Sequence, residues 1–241
     1  MCSSDLIKSV INSLSVVLLA RLSSYLNKKE NKEYVKLLKS AFGINLAIVF
    51  PCAVGMFMIS KNIILILSGA EYIKATVASQ ILAVNLILSV IDGMIYYQIL
   101  LPFGMDMVAC RGTILGAVIN VILNAILIPI ASLNGAALAT VLSELIVMCV
   151  FIFCLRKKVD IKELLKELHK ILVASIPIVF VCYFSCKYIE PMIIQTIVCI
   201  VFSVICYMLA ISFLHVTLAE EIWTMIKNIL KIKKKKRGEQ V

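Results

Sequence analysis

Seven apolar windows follow one another along the chain, each close to the roughly 20 residues that carry a helix across a bilayer. Charged residues, prolines or glycines separate them. The windows cover residues 6–22, 40–59, 77–101, 107–130, 135–155, 171–186 and 192–214. With 62% hydrophobic residues, a chain of 241 residues cannot bury so much apolar surface in one globular core. The pattern predicts an all-α integral membrane protein with about seven transmembrane helices.

Basic residues lie mostly in alternate connections between these windows. One set of alternate connections, together with the C-terminal segment, holds twenty Lys and Arg residues, and the other set holds three. Cytoplasmic segments carry the positive excess in membrane proteins, so we expect a cytoplasmic C-terminus. Seven spans then place the N-terminus outside, as expected of a chain that follows an earlier span. Residues 218–241 are predicted to form a basic, amphipathic cytoplasmic tail that binds anionic lipids.

The net charge of +10 favours the membrane surface over nucleic acid as a partner, because the basic runs lack interleaved aromatic residues and any binding motif. Nine cysteines lie mostly inside the apolar windows and form no C-x-x-C pair, so they indicate no metal site. Signatures of hydrolases and phosphate-binding loops are missing from the sequence. We therefore expect a membrane protein without catalytic residues or a cofactor.

Polar residues inside membrane spans are costly and are the first candidates for function. In the third window, Asn85, Ser89, Asp92 and Tyr96 share one helical face, which predicts that Asp92 faces a cavity or a neighbouring helix. Glu144 in the fifth window is a candidate proton or cation site, or an anchor for a hydrogen bond. Both interpretations remain open for each carboxyl group.

The fourth window carries Gly112, Gly116, Asn120 and Asn124 at intervals of four residues. Such a stripe favours close helix packing with hydrogen bonds across the contact. The two amides could instead line a hydrophilic cavity and pair with sugar hydroxyls. Arg111, at the start of this window, is suited either to reach the membrane surface or to bind a pyrophosphate.

Two consecutive motifs resemble a known family. They are Gly116-x3-Asn120-x3-Asn124-x2-Leu127-Ile128-Pro129 and Asn134-Gly135-Ala136-Ala137-x-Ala139-Thr140-x3-Glu144. The run is similar to the eleventh and twelfth helices of Wzx-type polysaccharide flippases, which belong to the multidrug/oligosaccharidyl-lipid/polysaccharide (MOP) exporter superfamily. The resemblance implies a full protein of fourteen helices in two lobes around a central cavity. The seven windows would be the eighth to fourteenth helices, which form one lobe plus the last two helices.

The resemblance implies that the full protein moves undecaprenyl-pyrophosphate-linked oligosaccharide repeat units across the bacterial plasma membrane, for surface polysaccharide synthesis. It suggests Arg111 for the pyrophosphate and Asp92, Asn120, Asn124 and Glu144 for cavity lining or helix contacts. The expected partners are the lipid-linked oligosaccharide, membrane lipids and a missing N-terminal lobe, in cis or as a second chain. The alternatives are a cation-coupled drug exporter, a peptidoglycan lipid flippase of the same superfamily, or an inactive truncated transporter.

Overall fold

The structure, a computed structural model, describes residues 3–156 and 158–216. Its α-helices are α1 (Ser3–Asn27), α2 (Asn31–Leu67), α3 (Thr76–Ile95), α4 (Asp106–Leu155), α5 (Ile161–Leu164), α6 (Leu168–Tyr188) and α7 (Met192–Phe213). A 3-10 helix (Ala70–Ala75) precedes α3, and a π-helical turn (Tyr96–Leu100) follows it. Within the described ranges there is no strand, and the expected all-α fold is confirmed. The predicted tail at 218–241 lies outside the described residues.

Five helical segments of the described chain are long and apolar enough to cross a membrane. They are Asn31–Leu67, Ala70–Leu100, Asp106–Leu155, Leu168–Tyr188 and Met192–Phe213. Large apolar side chains remain exposed along α4, α6 and α7, as expected of surfaces that face lipid. The chain is a multi-pass membrane protein. The sequence predicts seven crossings, and the difference arises at two helices. Helix α1, the first predicted crossing, is not among the five segments. Helix α4 counts as one segment, whereas the sequence predicts two crossings there.

Helix α4 is a hairpin of two antiparallel arms, residues 106–131 and 133–155. Its backbone leaves the helical region at Ser132, where φ is 48° and ψ is −122°. Asn120 donates a hydrogen bond to Ser143 across the hairpin (3.0 Å). The predicted windows 107–130 and 135–155 therefore correspond to the two arms. The sequence predicts a connection of four residues, 131–134, between the arms. In the structure the helical backbone is interrupted only at Ser132, and both arms are helical up to that residue.

Small residues allow the two arms to pack closely. A Cβ atom on Gly112 would collide with the Phe151 ring, and one on Gly116 would collide with Val147. This is the close packing that the stripe of small residues predicts in the fourth window. Gly135 lies against the backbone carbonyl of Leu127, which closes the turn.

The remaining helices pack around α2 and α3. Helix α3 contacts α1, α2 and the α4 hairpin, and the α6–α7 hairpin packs against α2. Buried Leu46, Leu86 and Met94 lie in the resulting core. Between α4 and α6 the described residues form one short helix, the four-residue α5, and α6 begins at Leu168. Glu163 of α5 forms an exposed ion pair with Lys39 of α2 (2.5 Å).

Candidate functional site

A cleft of about 400 Å³ lies between α3 and the two arms of α4. Polar side chains from all three segments line it. They are Asp92, Tyr96 and Tyr97 from the α3 side, Thr113 and Asn120 from the first arm, and Thr140, Ser143 and Glu144 from the second. The cleft thus places two carboxyl groups, an amide and several hydroxyl groups next to one another inside apolar helices.

Asp92 is the most unusual residue of this cleft. Asp92 is only 7% exposed, and neither carboxyl oxygen accepts a hydrogen bond from an N–H or hydroxyl group of the described residues, while the Glu144 carboxyl group lies within hydrogen-bonding reach. A buried polar group without a partner is costly, and more so when it can carry a charge. Glu144 lies close enough to interact electrostatically with Asp92. Two carboxyl groups at such range in an apolar setting are suited to share a proton or to hold a cation.

Glu144 is fixed from the α3 side. The hydroxyl of Ser89 donates to Glu144 Oε1 (2.9 Å), and the amide of Asn85 donates to Ser89 (3.4 Å). Asn85, Ser89, Asp92 and Tyr96 do share the face of α3 that the sequence predicts. That face meets the second arm of α4, so the carboxyl group of Glu144 is oriented by a hydrogen bond from a neighbouring helix.

Asn120 and Asn124 connect the two arms of α4. Asn124 donates to the carbonyl and to the side-chain oxygen of Asn120 (both 2.9 Å). Asn120 in turn donates to Ser143, whose hydroxyl donates to the carbonyl of Thr140 (2.9 Å). Both amides therefore take part in helix packing. Asn120 additionally lines the cleft, whereas Asn124 does not.

Arg111 lies apart from this group. It is exposed on the first arm of α4 and does not line the cleft. The structure thus brings together three of the five predicted site residues, Asp92, Asn120 and Glu144. Asn124 supports Asn120 from outside the cleft, and Arg111 stands at the start of the arm.

Sequence reasoning missed Tyr97 as a lining residue. Tyr97 lies beside the narrow polar stripe that the sequence analysis considered, and its ring packs edge-to-face against Tyr96 with 4.8 Å between centroids. The two tyrosines begin the π-helical turn, where the backbone N–H of Leu101 donates to the carbonyl of Tyr96 (3.1 Å). Such turns are frequent at functional sites. The adjacent tyrosines at positions 96 and 97 were the sequence feature that could have indicated Tyr97 as a lining residue.

Oxygen ligands of the kind present here suit hard cations, since carboxyl, amide and hydroxyl oxygens bind them preferentially. Among the described residues there is no group of three or more His, Cys, Asp or Glu side chains that could hold a metal ion. A cation in the cleft would therefore use the two carboxyl groups together with neutral oxygens from residues such as Asn120 and Thr140.

Known proteins are similar to this chain in fold or in part of their sequence. A solved structure of the lipid II flippase MurJ, in its inward closed conformation, matches 87% of this chain and 44% of its own, with a TM-score of 0.71 and 20% identity. An uncharacterized membrane protein of Methanocaldococcus jannaschii, MJ1068, is 28% identical over 219 residues. That match covers 91% of this chain and 43% of the relative, so the chain spans less than half of that relative's length.

A second curated relative carries a functional name. The probable low-salt glycan biosynthesis flippase Agl15 of Haloferax volcanii is 30% identical over 123 residues, which cover 51% of this chain and 26% of that protein. The family profile described as Lipid II flippase MurJ matches residues 7–207. The expected MOP superfamily is confirmed, and its Wzx-type branch stays a prediction. Residues 7–207 thus identify the chain as a member of the MurJ lipid II flippase family.

Proposed function

We propose that the protein to which this chain belongs moves an undecaprenyl-pyrophosphate-linked oligosaccharide from the inner to the outer leaflet of a bacterial plasma membrane. Family membership over residues 7–207 supports transport of a lipid-linked cargo, and the observation that favours a sugar head is the polar cleft between apolar helices. The name of the Haloferax relative, a glycan biosynthesis flippase, supports a glycan as cargo. No bond is made or broken in such a step, so the protein acts as a transporter.

In this proposal the cleft provides hydrogen-bonding groups for the sugar head while the lipid tail stays in the bilayer. Sugar hydroxyls pair with carboxyl, amide and hydroxyl side chains such as those of Asp92, Asn120 and Glu144. Arg111 binds the pyrophosphate near the inner surface, because a planar guanidinium matches phosphate oxygens with two parallel hydrogen bonds. Its exposure leaves it accessible to a headgroup.

Transport by alternating access requires two lobes that move against each other. The chain spans 43% of the Methanocaldococcus relative and 44% of the MurJ structure. This chain would supply the eighth to fourteenth helices, and a partner lobe, in cis or as a second chain, would supply the rest. The cleft between α3 and α4 would then lie in the second lobe of the complete transporter.

The test is deletion of the encoding gene in its own host, followed by analysis of lipid-linked intermediates and surface polysaccharide. We expect undecaprenyl-linked repeat units to accumulate and surface polysaccharide to disappear. The gene restored in full should reverse both effects, and the gene with Arg111→Ala should reverse them poorly. Normal polysaccharide without accumulated intermediates would overturn the proposal.

Lipid II is a second candidate cargo, favoured by the name of the matching family profile. The same gene deletion distinguishes lipid II from an oligosaccharide repeat unit as the cargo. With lipid II as cargo, lipid II accumulates and cell-wall synthesis stops, while surface polysaccharide intermediates stay at their normal level.

Cation-coupled export of drugs is a third candidate, favoured by the buried Asp92 carboxyl group beside Glu144. The pair would then be the site of the coupling ion. Deletion would change drug resistance and leave both lipid-linked pools unchanged. Asp92→Asn and Glu144→Gln would each reproduce the deletion, whereas Glu190→Gln, at an exposed position before α7, would not.

A further inference from the structure

Helix α2 contains a proline in its middle. Pro51 has no backbone N–H, so the carbonyl of Ala47, four residues earlier, loses its helical hydrogen-bond donor. Ala47 is fully buried. A buried carbonyl inside a membrane protein needs another donor, and a neighbouring helix is the usual source.

Helix α7 supplies that donor. The hydroxyl of Tyr207 donates to the carbonyl of Ala47 over 2.7 Å. The side chain of Tyr207 is only 4% exposed, so water does not compete strongly for this bond. Pro51 leaves the Ala47 carbonyl without its helical donor, and the Tyr207 hydroxyl takes the place of that donor.

A second attachment joins α7 to α2 on the other side of the proline. The amide of Asn62 donates to Gln195 Oε1 (2.6 Å) and to the hydroxyl of Thr196 (3.1 Å). Gln195 then donates to the carbonyls of Ser185 (3.3 Å) and Ile189 (3.1 Å), at the end of α6. This attachment fixes both helices of the α6–α7 hairpin to the second half of α2.

Between the two attachments lies an apolar cavity of about 340 Å³. Pro51 and Gly55 line it from α2, and Ile178 and Ser203 line it from the hairpin. A Cβ atom on Gly55 would meet no atom within 4 Å. Helix α2 thus lacks one of its own backbone hydrogen bonds at Pro51 and is loosely packed beside Gly55, and proline is a common site of helix bending.

We propose that α7 is a strut that sets the angle between the two halves of α2, with Tyr207 as the positioning residue. One half is held through Ala47 and the other through Asn62, so a change in the bend at Pro51 must strain one attachment. The α6–α7 hairpin consequently moves together with α2. This inference concerns the helices alone and holds for any cargo of the proposed transporter.

Hydrogen exchange of the full chain in phosphatidylethanolamine/phosphatidylglycerol nanodiscs tests the strut, read by mass spectrometry over residues 43–58. In Tyr207→Phe we expect exchange there to rise about tenfold, the population change that follows from losing one net hydrogen bond. Tyr183→Phe is the control, since it removes the hydroxyl of an exposed tyrosine on α6. Exchange in the control should match that of the unaltered chain.

The double variant Pro51→Ala/Tyr207→Phe makes the test specific. Alanine at position 51 supplies the N–H that the Ala47 carbonyl lacks. Hydrogen exchange over residues 43–58 in the double variant should therefore equal that of Pro51→Ala alone. The amide added at position 51 is present in both variants. A tyrosine that only filled space would show no such rescue. Unchanged exchange in Tyr207→Phe, or no rescue in the double variant, would overturn the proposal.

Asn62→Ala provides an independent measurement if Tyr207→Phe does not fold. We expect faster exchange in the second half of α2, over residues 55–66, together with faster exchange at the end of α6. Unchanged exchange in these two segments would also overturn the strut. None of these exchange measurements involves cargo. Failure of the proposed transport function would appear in the lipid-linked intermediates and would leave the exchange results unchanged.

Discussion

Asp92 combines features that packing alone does not explain. Its carboxyl group is buried, accepts no hydrogen bond from an N–H or hydroxyl group of the described residues and lies beside a second carboxyl group. On insertion scales an Asp at the centre of a membrane helix costs about 2.5–3.5 kcal/mol, so a residue of this kind reduces stability in return for another role. Structural residues of the same cleft, such as Asn120, have their hydrogen-bonding groups occupied.

This difference predicts opposite behaviour for two substitutions at the cleft. Asp92→Asn should leave the free energy of unfolding unchanged within about 0.5 kcal/mol or raise it, because the asparagine amide can donate to Glu144 in place of a shared proton. The same variant should fail to support transport in the host strain. Asn120→Ala should lower the free energy of unfolding by about 1 kcal/mol or more, since Ser143 and Asn124 both lose a partner.

Unfolding in mixed detergent micelles, followed by circular dichroism, measures both variants, with Glu190→Gln as the exposed acidic control. Marked destabilisation by Asp92→Asn would show that Asp92 serves to hold α3 in place. Full transport by a stable Asp92→Asn protein would remove Asp92 from the proposed site.

At the scale of elements, the α4 hairpin depends on the smallest side chains at its contact. Gly116→Ala should lower the free energy of unfolding by about 1–3 kcal/mol, because the added methyl group collides with the stiff side chain of Val147. Adding Val147→Ala should recover part of this loss by removing the colliding atoms. Gly55→Ala is the matched control, since its methyl group enters open space and should not destabilise α2. Equal effects at both glycines would refute the close contact.

The turn of the same hairpin carries backbone strain. Ser132 has a positive φ of 48° with ψ at −122°, a combination that favours glycine at the first central position of a tight turn. Ser132→Gly should therefore raise the free energy of unfolding by about 1 kcal/mol, and Ser132→Val should lower it. Urea or detergent titration of the three proteins measures the order. Lower stability of Ser132→Gly would contradict the turn geometry.

The arms of α4 could be predicted from the sequence because the spacing of neighbouring residues determines them. Glycines and asparagines at intervals of four residues must fall on one helical face, and Pro129 and Gly135 mark the turn. The bond from Tyr207 to Ala47 joins positions that are 160 residues apart, and nothing local in either helix indicates its partner. The same holds for Asn62 and Gln195.

Long-range pairing also explains what was missed at the cleft. Asp92 and Glu144 were each identified from the cost of a carboxyl group in a membrane span, but their proximity depends on how α3 packs against α4. The extent of α2 was underestimated for another reason. Its first nine residues are mostly polar, and Ser60-Lys61-Asn62 interrupts the apolar run near its end, so the window 40–59 could not include the segments that extend the helix to Asn31 and Leu67.

At the scale of the whole molecule, the distribution of charge predicts how the helices cross the bilayer. Twenty basic residues fall in one set of alternate connections and the C-terminal segment, against three in the other set. The positive-inside rule then places the connections at 28–30 and 156–167 in the cytoplasm. The α4 turn at Ser132 and the α6–α7 connection at 189–191 should lie outside.

Single cysteines in an otherwise cysteine-free chain test this topology with a membrane-impermeant maleimide on intact cells. Ser132→Cys and Glu190→Cys should react before the cells are opened, whereas Lys28→Cys and Lys158→Cys should react only afterwards. All four positions lie in connections or at the helix turn, so differences in labelling report the side of the membrane. Labelling of Lys158→Cys in intact cells, or protection of Ser132→Cys until lysis, would reverse the predicted orientation. It would also place Arg111 near the outer surface, where it could not receive the pyrophosphate from the inner leaflet.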